Sequence, residues 1–403
     1  MANDLTFGQI ATLLNSVVYQ ATGQTPITPT NTSEFVSVAQ TALKVGYDPI
    51  LNAISQVQTR TIFSVRPYTR KFKGLQMSES RWGNFIRKLQ PADLDVVDDD
   101  QYKWPVAYDA AHTDNPLGDG ESVDMYKIRK PRVLQTMFYG RDGYQDYETI
   151  HRNQLDMAFR GPEEFGSFYS MITQNRANKL EQYYENMART VLLNLIAGII
   201  DEAQTGRVVH LLTEYNTFTG QQLTKQELYQ GDNYKAFIGW MFAKLEEVAA
   251  LMSERTTLFQ TQINNFPVRR HTPMNRLKMY LSSGIQFQVG NMVLPNTFNS
   301  DLLKWADHET VNFWQSIQSP QKINITPVRT AADGTLTSPA AAVEADNIVG
   351  VLFDEEAAGY AVIDPWTSVT PINSRGGYWN IYDHVSVRTF NDFTEKAVVF
   401  MLD

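Results

Sequence analysis

The feature that most constrains this chain is one long helical signal with no proline inside it. From 165 to 200, Phe165, Phe168, Tyr169, Ile172, Arg176, Leu180, Tyr183, Met187, Val191 and Leu195 recur at spacings of three and four, and Pro162 stands just ahead of them. Such spacing puts the side chains on one stripe of a 3.6-residue helix. A proline in the first turn removes only an amide that has no helical partner anyway. At 1.5 Å per residue the helix is roughly 50 Å long, more than a small domain is wide. It must lie across a sheet or run the length of the subunit.

Ahead of that rod the pattern is broken into shorter pieces. Thr6 is placed to cap a helix carrying Phe7, Ile10, Leu13, Leu14 and Val17, with Gly23 just past its end. The link 25–32 holds Pro26 and Pro29 and cannot be helical. A second helix is expected from near Ser33, with Phe35, Val38, Ala42 and Val45 on one face and Gly46 closing it; a short helical turn follows Pro49. Periodicity alone leaves two readings of this region open, an arm that packs elsewhere and an ordinary helical subdomain.

Residues 62–73 and 124–138 read as strands, and the long polar stretch between them has few core residues. That stretch contains the acidic run Asp93, Asp95, Asp98, Asp99 and Asp100 and the turn-rich segment 114–120. Two strands flanking such an excursion predict an extended hairpin projecting from the body. Loops of this length without a core of their own usually bind something, and this one is expected to dock on a neighbour.

After Gly206 the chain alternates. Residues 234–253 form an amphipathic helix with Phe237, Met241, Leu245, Val248 and Met252 on its stripe, and 264–279 carry a basic patch of Arg269, Arg270, Arg276 and Lys278. A shorter helix is expected after Ser300 with Leu302, Leu303 and Ala306, then Phe313. Residues 331–345 read as a low-complexity loop. Strands follow at 348–353, 360–363, 378–382, 385–390 and 397–402. The class is α+β with a strand-rich C-terminal part and no internal repeat.

Composition enters as a set of exclusions. Across 403 residues, 43% hydrophobic and 12% aromatic content is enough for two or three packed domains, and 20% charge is too little for a disordered chain. With no cysteine, disulfides, thiolate metal sites and thiol nucleophiles are excluded. A net charge of −9 does not attract nucleic acid, so any contact with DNA must be local and weak. Residues 1–10 lack a basic and apolar leader, and the longest apolar run, 191–200, is about half a membrane span and is interrupted by Asn194. A soluble, unexported protein is expected.

Catalytic signatures are missing. There is no phosphate-binding glycine loop, dinucleotide fingerprint or G-x-S-x-G elbow, and His112, His151, His210, His271, His308 and His384 are scattered. The run Asp93 to Asp100 lacks the glycine and distal glutamate of a calcium loop and reads as a solvated acidic loop. The adjacent pairs Glu163/Glu164, Glu246/Glu247 and Glu355/Glu356 point in different directions on a helix and make no acid/base pair alone. Arg66, Tyr68, Arg70 and Phe72 alternate cation and ring, with Lys71 and Lys73 beside them. The net charge favours subunit contact over nucleic acid for this strand. No catalytic, cofactor-binding or metal-ligating residue is expected.

In order, the elements are an N-terminal arm, a long two-stranded loop, a spine helix, a mixed domain and returning strands. This order resembles the Hong Kong ninety-seven-type phage capsid fold. The C-terminal segment 371–400 (PINSRGGYWNIYDHVSVRTFNDFTEKAVVF) is similar to the major capsid proteins of phi-twenty-nine-like short-tailed phages. Its turn at Arg375 and Gly376, aromatic strand Tyr378, Trp379 and Tyr382, and final Ala397, Val398 and Phe400 carry the match. The lead-in 161–168 (GPEEFGSF) and the stretch 70–74 (RKFKG) are similar too.

The resemblance implies an N-arm at 1–60, an extended loop at 61–147, a peripheral domain with the spine helix at 148–205, an axial domain at 206–370, and strands at 371–403 returning to the peripheral domain. It implies a major capsid protein that self-assembles through pentamers and hexamers into an icosahedral or prolate shell around phage double-stranded DNA. The expected partners are copies of itself, a scaffolding protein, a portal at one vertex and weakly held DNA, with no membrane. The expected location is the virion, after assembly in the host cytoplasm. Arm and loop poses are expected to differ between five-fold and six-fold positions, through Pro26, Pro29, Gly74, Gly118 and Gly120. Some relatives carry a further immunoglobulin-like domain after the last strand, and none is expected here. Two alternatives stand beside this: an encapsulin-like compartment shell of the same fold, and a cytosolic α+β enzyme whose seven tryptophans and nineteen tyrosines would be sugar platforms.

Overall fold

The computed structural model describes residues 6–23, 28–60, 70–77, 86–91, 125–126, 128, 130, 133–138, 142–203, 206–230, 232–263, 268–284 and 307–403. Three helices open it: α1 (Phe7–Thr22), α2 (Thr32–Val45) and α3 (Tyr47–Arg60). Gly23 ends α1 at φ 71°, a left-handed value that costs glycine nothing, and its N–H donates to the Tyr19 carbonyl at 2.8 Å. Asn31 accepts from the Glu34 N–H at 2.9 Å to start α2. The short turn expected after Pro49 is a 14-residue helix, because Pro49 falls in its first turn, where a missing amide hydrogen is harmless. Leu14, Val17, Phe35, Ala39, Ile50 and Ile54 are fully buried in a core that they share with the chain's own Phe165, Tyr169 and Trp379. These helices pack on the body of their own chain.

The hairpin is present with different arms. β1 (Ile86–Pro91) pairs antiparallel with β2 (Val133–Phe138). Of the first arm expected at 62–73, residues 62–69 lie outside the described chain. The remainder forms no projecting strand: Phe72 and Leu75 are 1% and 2% exposed, and a 3₁₀ turn at Lys73–Leu75 holds them to the body. Two apolar anchors in the basic stretch decide this; Lys71 and Lys73 beside them stay at the surface. The acidic run 93–100 and the turn segment 114–120 also lie outside the described residues.

β3 (Asp142–His151) and α4 (Arg152–Ala158) lead into α5 (Pro162–Glu202), the expected spine, longer at 41 residues than its stripe suggested. Its first half buries one face, through Phe165, Tyr169, Ile172 and Arg176. From Val191 to Ile199 it is buried almost all round. Asn194, the polar interruption in that apolar run, donates to the Val328 carbonyl and Asn391 Oδ1 at 2.9 Å and accepts from the Val328 N–H at 2.8 Å. A half-buried amide satisfied on both ends costs little. At Gly198 a Cβ would come within 2.5 Å of the Phe393 ring, so only glycine lets the turn at 393 cross the spine here.

β4 (Val208–His210), α6 (Leu211–Thr219), α7 (Lys225–Leu228) and α8 (Asn233–Ser253) follow. Then come β5 (Leu277–Ser282), β6 (Asp307–Val311), β7 (Ile323–Ile325), β8 (Arg329–Thr330), β9 (Leu336–Thr337) and β10 (Val343–Ala345). The helix expected at Leu302, Leu303 and Ala306 lies outside the described residues, and Phe313 sits in an irregular loop after β6. The 331–345 loop contains the short strands β9 and β10.

The last strands are β11 (Ile348–Asp354), β12 (Ala358–Val369), β13 (Tyr378–Asn391) and β14 (Ala397–Met401). The stretches expected as two strands at 378–382 and 385–390 are one 14-residue strand. Two sheets divide these strands. β12, β13 and β3 form an antiparallel sheet over the spine, while β4, β14, β11, β5 and β6 form a mixed five-stranded sheet. The 371–403 stretch is therefore shared between both sheets. β11 and β14 are buried at every residue because the five-stranded sheet is covered on both faces. Val351 and Phe353 pack with the last turns of α5, and Val349 and Leu352 with Phe237, Met241 and Leu245 of α8.

Candidate functional site

The working surfaces of this chain are joints and projections, and the first joint is between spine and sheet. Along β13 buried and half-exposed residues alternate, so every second side chain faces α5. Asp383 is one of the inward set. Arg176 of the spine grips it with two nitrogens, Nε to Oδ2 at 2.5 Å and Nη2 to Oδ1, while the Thr367 hydroxyl donates to Oδ1 at 2.7 Å. Lys179 pairs with Asp146 of β3 at 3.0 Å, and Tyr183 stacks on Tyr144 at 4.4 Å. Trp379 is fully buried where the N-terminal helices meet the sheet, and its Nε1–H donates to Asp48 Oδ1 at 2.6 Å. Trp379→Ala is expected to destabilise the chain by about 3–5 kcal/mol through the cavity it leaves. Denaturant unfolding read at α1–α3 checks this.

The second joint holds the root of the hairpin. Lys88 of β1 reaches Asp392 Oδ2 at 2.8 Å, Glu356 Oε2 at 3.2 Å and Glu395. Arg270 takes Glu395 from the other side and donates to Gln90 and, at 2.9 Å, to Thr394 Oγ1. Arg276 pairs with Glu355 at 2.7 Å and with Glu356. Lys278 donates to the Gly74 carbonyl. Within the expected basic patch these three cations are therefore engaged inside the chain. Burial pushes the Glu395 carboxyl up, although Lys88 and Arg270 pull it down. For Lys88, burial opposes the charge, and Asp392 and Glu395 more than offset it, so its ammonium is held above the ordinary lysine range. The sequence signal for this hub was the charged turn 392–396 between two apolar strands, which periodicity alone did not single out.

Lys396, in the same turn, is fully buried, and its ammonium donates to the Met252 carbonyl at 3.0 Å, the Glu254 carbonyl at 2.5 Å and Thr256 Oγ1 at 3.3 Å. Burial pushes it down to about 8. The folded chain thus releases this proton near pH 8 and the unfolded chain near the ordinary 10.5. Between those values the unfolded state holds more protons, so this group's contribution to stability rises with pH. Chemical denaturation across that window should show this rise in the native chain and lose it in Lys396→Met.

The outward face of the hairpin carries exposed apolar side chains beside Arg87 and Gln135. Leu89 and Val133 share one side of the β1–β2 ladder and are 53% and 63% exposed; farther along, Tyr126 and Ile128 are 80% and 90% exposed. Concentrated exposed apolar residues on one projection mark a contact surface. Among the described residues no group of three or more His, Asp or Glu side chains is placed to hold a metal ion, and no helix is long and apolar enough to cross a membrane. His210 pairs with Asp403 at 2.7 Å, His384 stacks on Trp366 at 3.9 Å and His151 packs edge-on to Tyr378. His112 is outside the described residues. Glu247 pairs with Lys244, and Arg70, at the end of the cation–ring alternation, pairs with Glu181 at 2.8 Å and lies over Tyr184.

A spine helix under a returning antiparallel sheet, a second sheet walled by helices, and a projecting hairpin define a capsid subunit of the Hong Kong ninety-seven type. The capsid structure of Staphylococcus phage Andhra superposes with a TM-score of 0.52 at 9% identity, over 85% of this chain and 87% of that one. A structure of the head fiber and inner core protein gp22 of native bacteriophage P68 matches with the same TM-score, identity and coverage. Likeness at that identity concerns the fold. The model of the Phi29-like phage major capsid protein family matches residues 14–401, and the chain belongs to that family. It is a phage major capsid protein and a component of the virion. No curated protein matches it. Nothing in these matches points to an encapsulin or to an enzyme.

Proposed function

We propose that copies of this chain join as pentamers and hexamers into a closed icosahedral or prolate shell around double-stranded phage DNA, and that the chain performs no catalysis. The observation that carries this reading is the hairpin. One of its faces is fixed to the body by buried charge, and the other offers apolar side chains that nothing among the described residues covers. An adjacent copy is the natural cover. On this reading residues 142–203 with 358–391 form the peripheral limb, and 206–354 with 397–403 form the axial domain. The hairpin within 61–147 lies over the neighbour, and 1–60 braces the start of the spine. A scaffolding protein guides assembly, a portal occupies one vertex, and DNA is held weakly because the net charge of −9 opposes it.

Electron microscopy and sedimentation of the purified chain test this directly. Shells or five- and six-fold capsomers are expected. A stable monomer at every concentration and salt condition would overturn the reading.

A further inference from the structure

One side of the spine helix is exposed and carries no charge of its own. Between Ser167 and Thr190 the exposed positions of α5 are Ser167, Met171, Asn175, Gln182, Asn186 and Thr190. They recur at spacings of four and seven, so they share one face of the helix. At about 1.5 Å per residue that face runs for roughly 35 Å. The span does contain charged residues, and every one of them is turned to a partner within the chain. Arg176 pairs with Asp383, Lys179 with Asp146, Glu181 with Arg70, and Glu185 with Arg189. The exposed face of a helix is ordinarily where its charges go. Here the charges serve the joints, and amides and hydroxyls are left outside; Asn175 also donates to Glu148 of β3 at 3.4 Å.

We propose that this face lines the inside of the shell and lies against the packaged double-stranded DNA. Amide and hydroxyl groups hydrogen-bond phosphate oxygens without adding charge. Lysines in their place would release counterions from the DNA and add an affinity that filling and emptying the shell must overcome. Carboxylates would repel the phosphates, and a chain with a net charge of −9 keeps its own away from these six positions. A protein partner fits the face poorly. The centre of a protein contact needs large buried anchors, and Met171 is the one apolar side chain of the six. The inference rests on the shell reading above and names the surface through which the DNA is weakly held.

The test uses DNA-filled and empty particles of the phage that encodes this chain, with exposed Gln182 replaced by the photo-cross-linker p-benzoylphenylalanine. After irradiation and nuclease digestion, mass spectrometry should find nucleotide adducts on the peptide containing position 182 in filled particles and none in empty ones. In a second arm, Asn175→Lys with Gln182→Lys should slow DNA release from osmotically opened particles at least about tenfold in low salt, and the delay should vanish in high salt. Cross-links to a protein chain instead of DNA, or release unchanged by the two lysines, overturn this proposal and leave the shell reading standing. Particles whose shell does not contain this chain overturn the shell reading and this proposal with it.

Discussion

Asp383→Ala is expected to cost the fold about 3–5 kcal/mol, a large share of what holds a domain together. The reason is asymmetry. The side chains of Arg176 and Asp383 are each 10% exposed, so neither charge is solvated in the folded chain. While both are present, the two parallel hydrogen bonds and the Thr367 hydroxyl satisfy the carboxylate. With Asp383 gone, the guanidinium remains in the joint between spine and sheet without its counter-charge. Replacing both partners by apolar groups of similar size, as in Arg176→Met with Asp383→Leu, should cost much less than the single change, because no charge is then stranded. Urea unfolding of the three variants decides the point. A single variant that unfolds within about 1 kcal/mol of the native chain would show that the pair is solvated and does not fix the sheet to the spine.

That joint also shows which parts of the fold could be read beforehand. Arg176 stood in the helical stripe of Phe165, Tyr169 and Ile172, an arginine at a position where the periodicity demanded burial. Its place on the inner face followed from spacing, but its partner did not. Asp383 is more than two hundred residues away, and the packing of β13 on α5 brings the two together. The family resemblance was legible in 371–400, because an aromatic strand followed by a charged turn and an apolar strand is a local pattern. What that segment does was not local: β13 joins the sheet over the spine, while β14, six residues later, joins the other sheet between β11 and β4. The hairpin arms were misplaced for a related reason. Alternation in Arg70, Phe72 and their neighbours describes a strand equally well whether it projects or is strapped down, and burial of Phe72 against Tyr280 is a tertiary choice. The strand that does form the first arm, Ile86–Pro91, carries Arg87, Lys88 and Gln90, polar residues whose partners appear only once Asp392, Glu395 and Arg270 are folded around them.

The hairpin's two faces separate folding from assembly, and this gives the other large expected effect. Lys88 and Gln90 face the hub, while Leu89 and Val133 face outward on the opposite side of the ladder. Changing both outward residues to aspartate should leave the stability of the isolated chain within about 0.5 kcal/mol, because exposed positions tolerate charge. Assembly should respond very differently. Covering an apolar side chain of this size is worth about 1.5–3 kcal/mol, and a carboxylate in the same contact must be desolvated without a partner. Since about 1.4 kcal/mol is a tenfold change in an equilibrium constant, two such losses per subunit should raise the concentration needed for assembly at least about a hundredfold. Light scattering and electron microscopy over a concentration series measure it, with the unfolding transition as the control. Shells forming at the native concentration would show that the outward face is open to solvent in the particle, and that a different surface carries the contact between subunits.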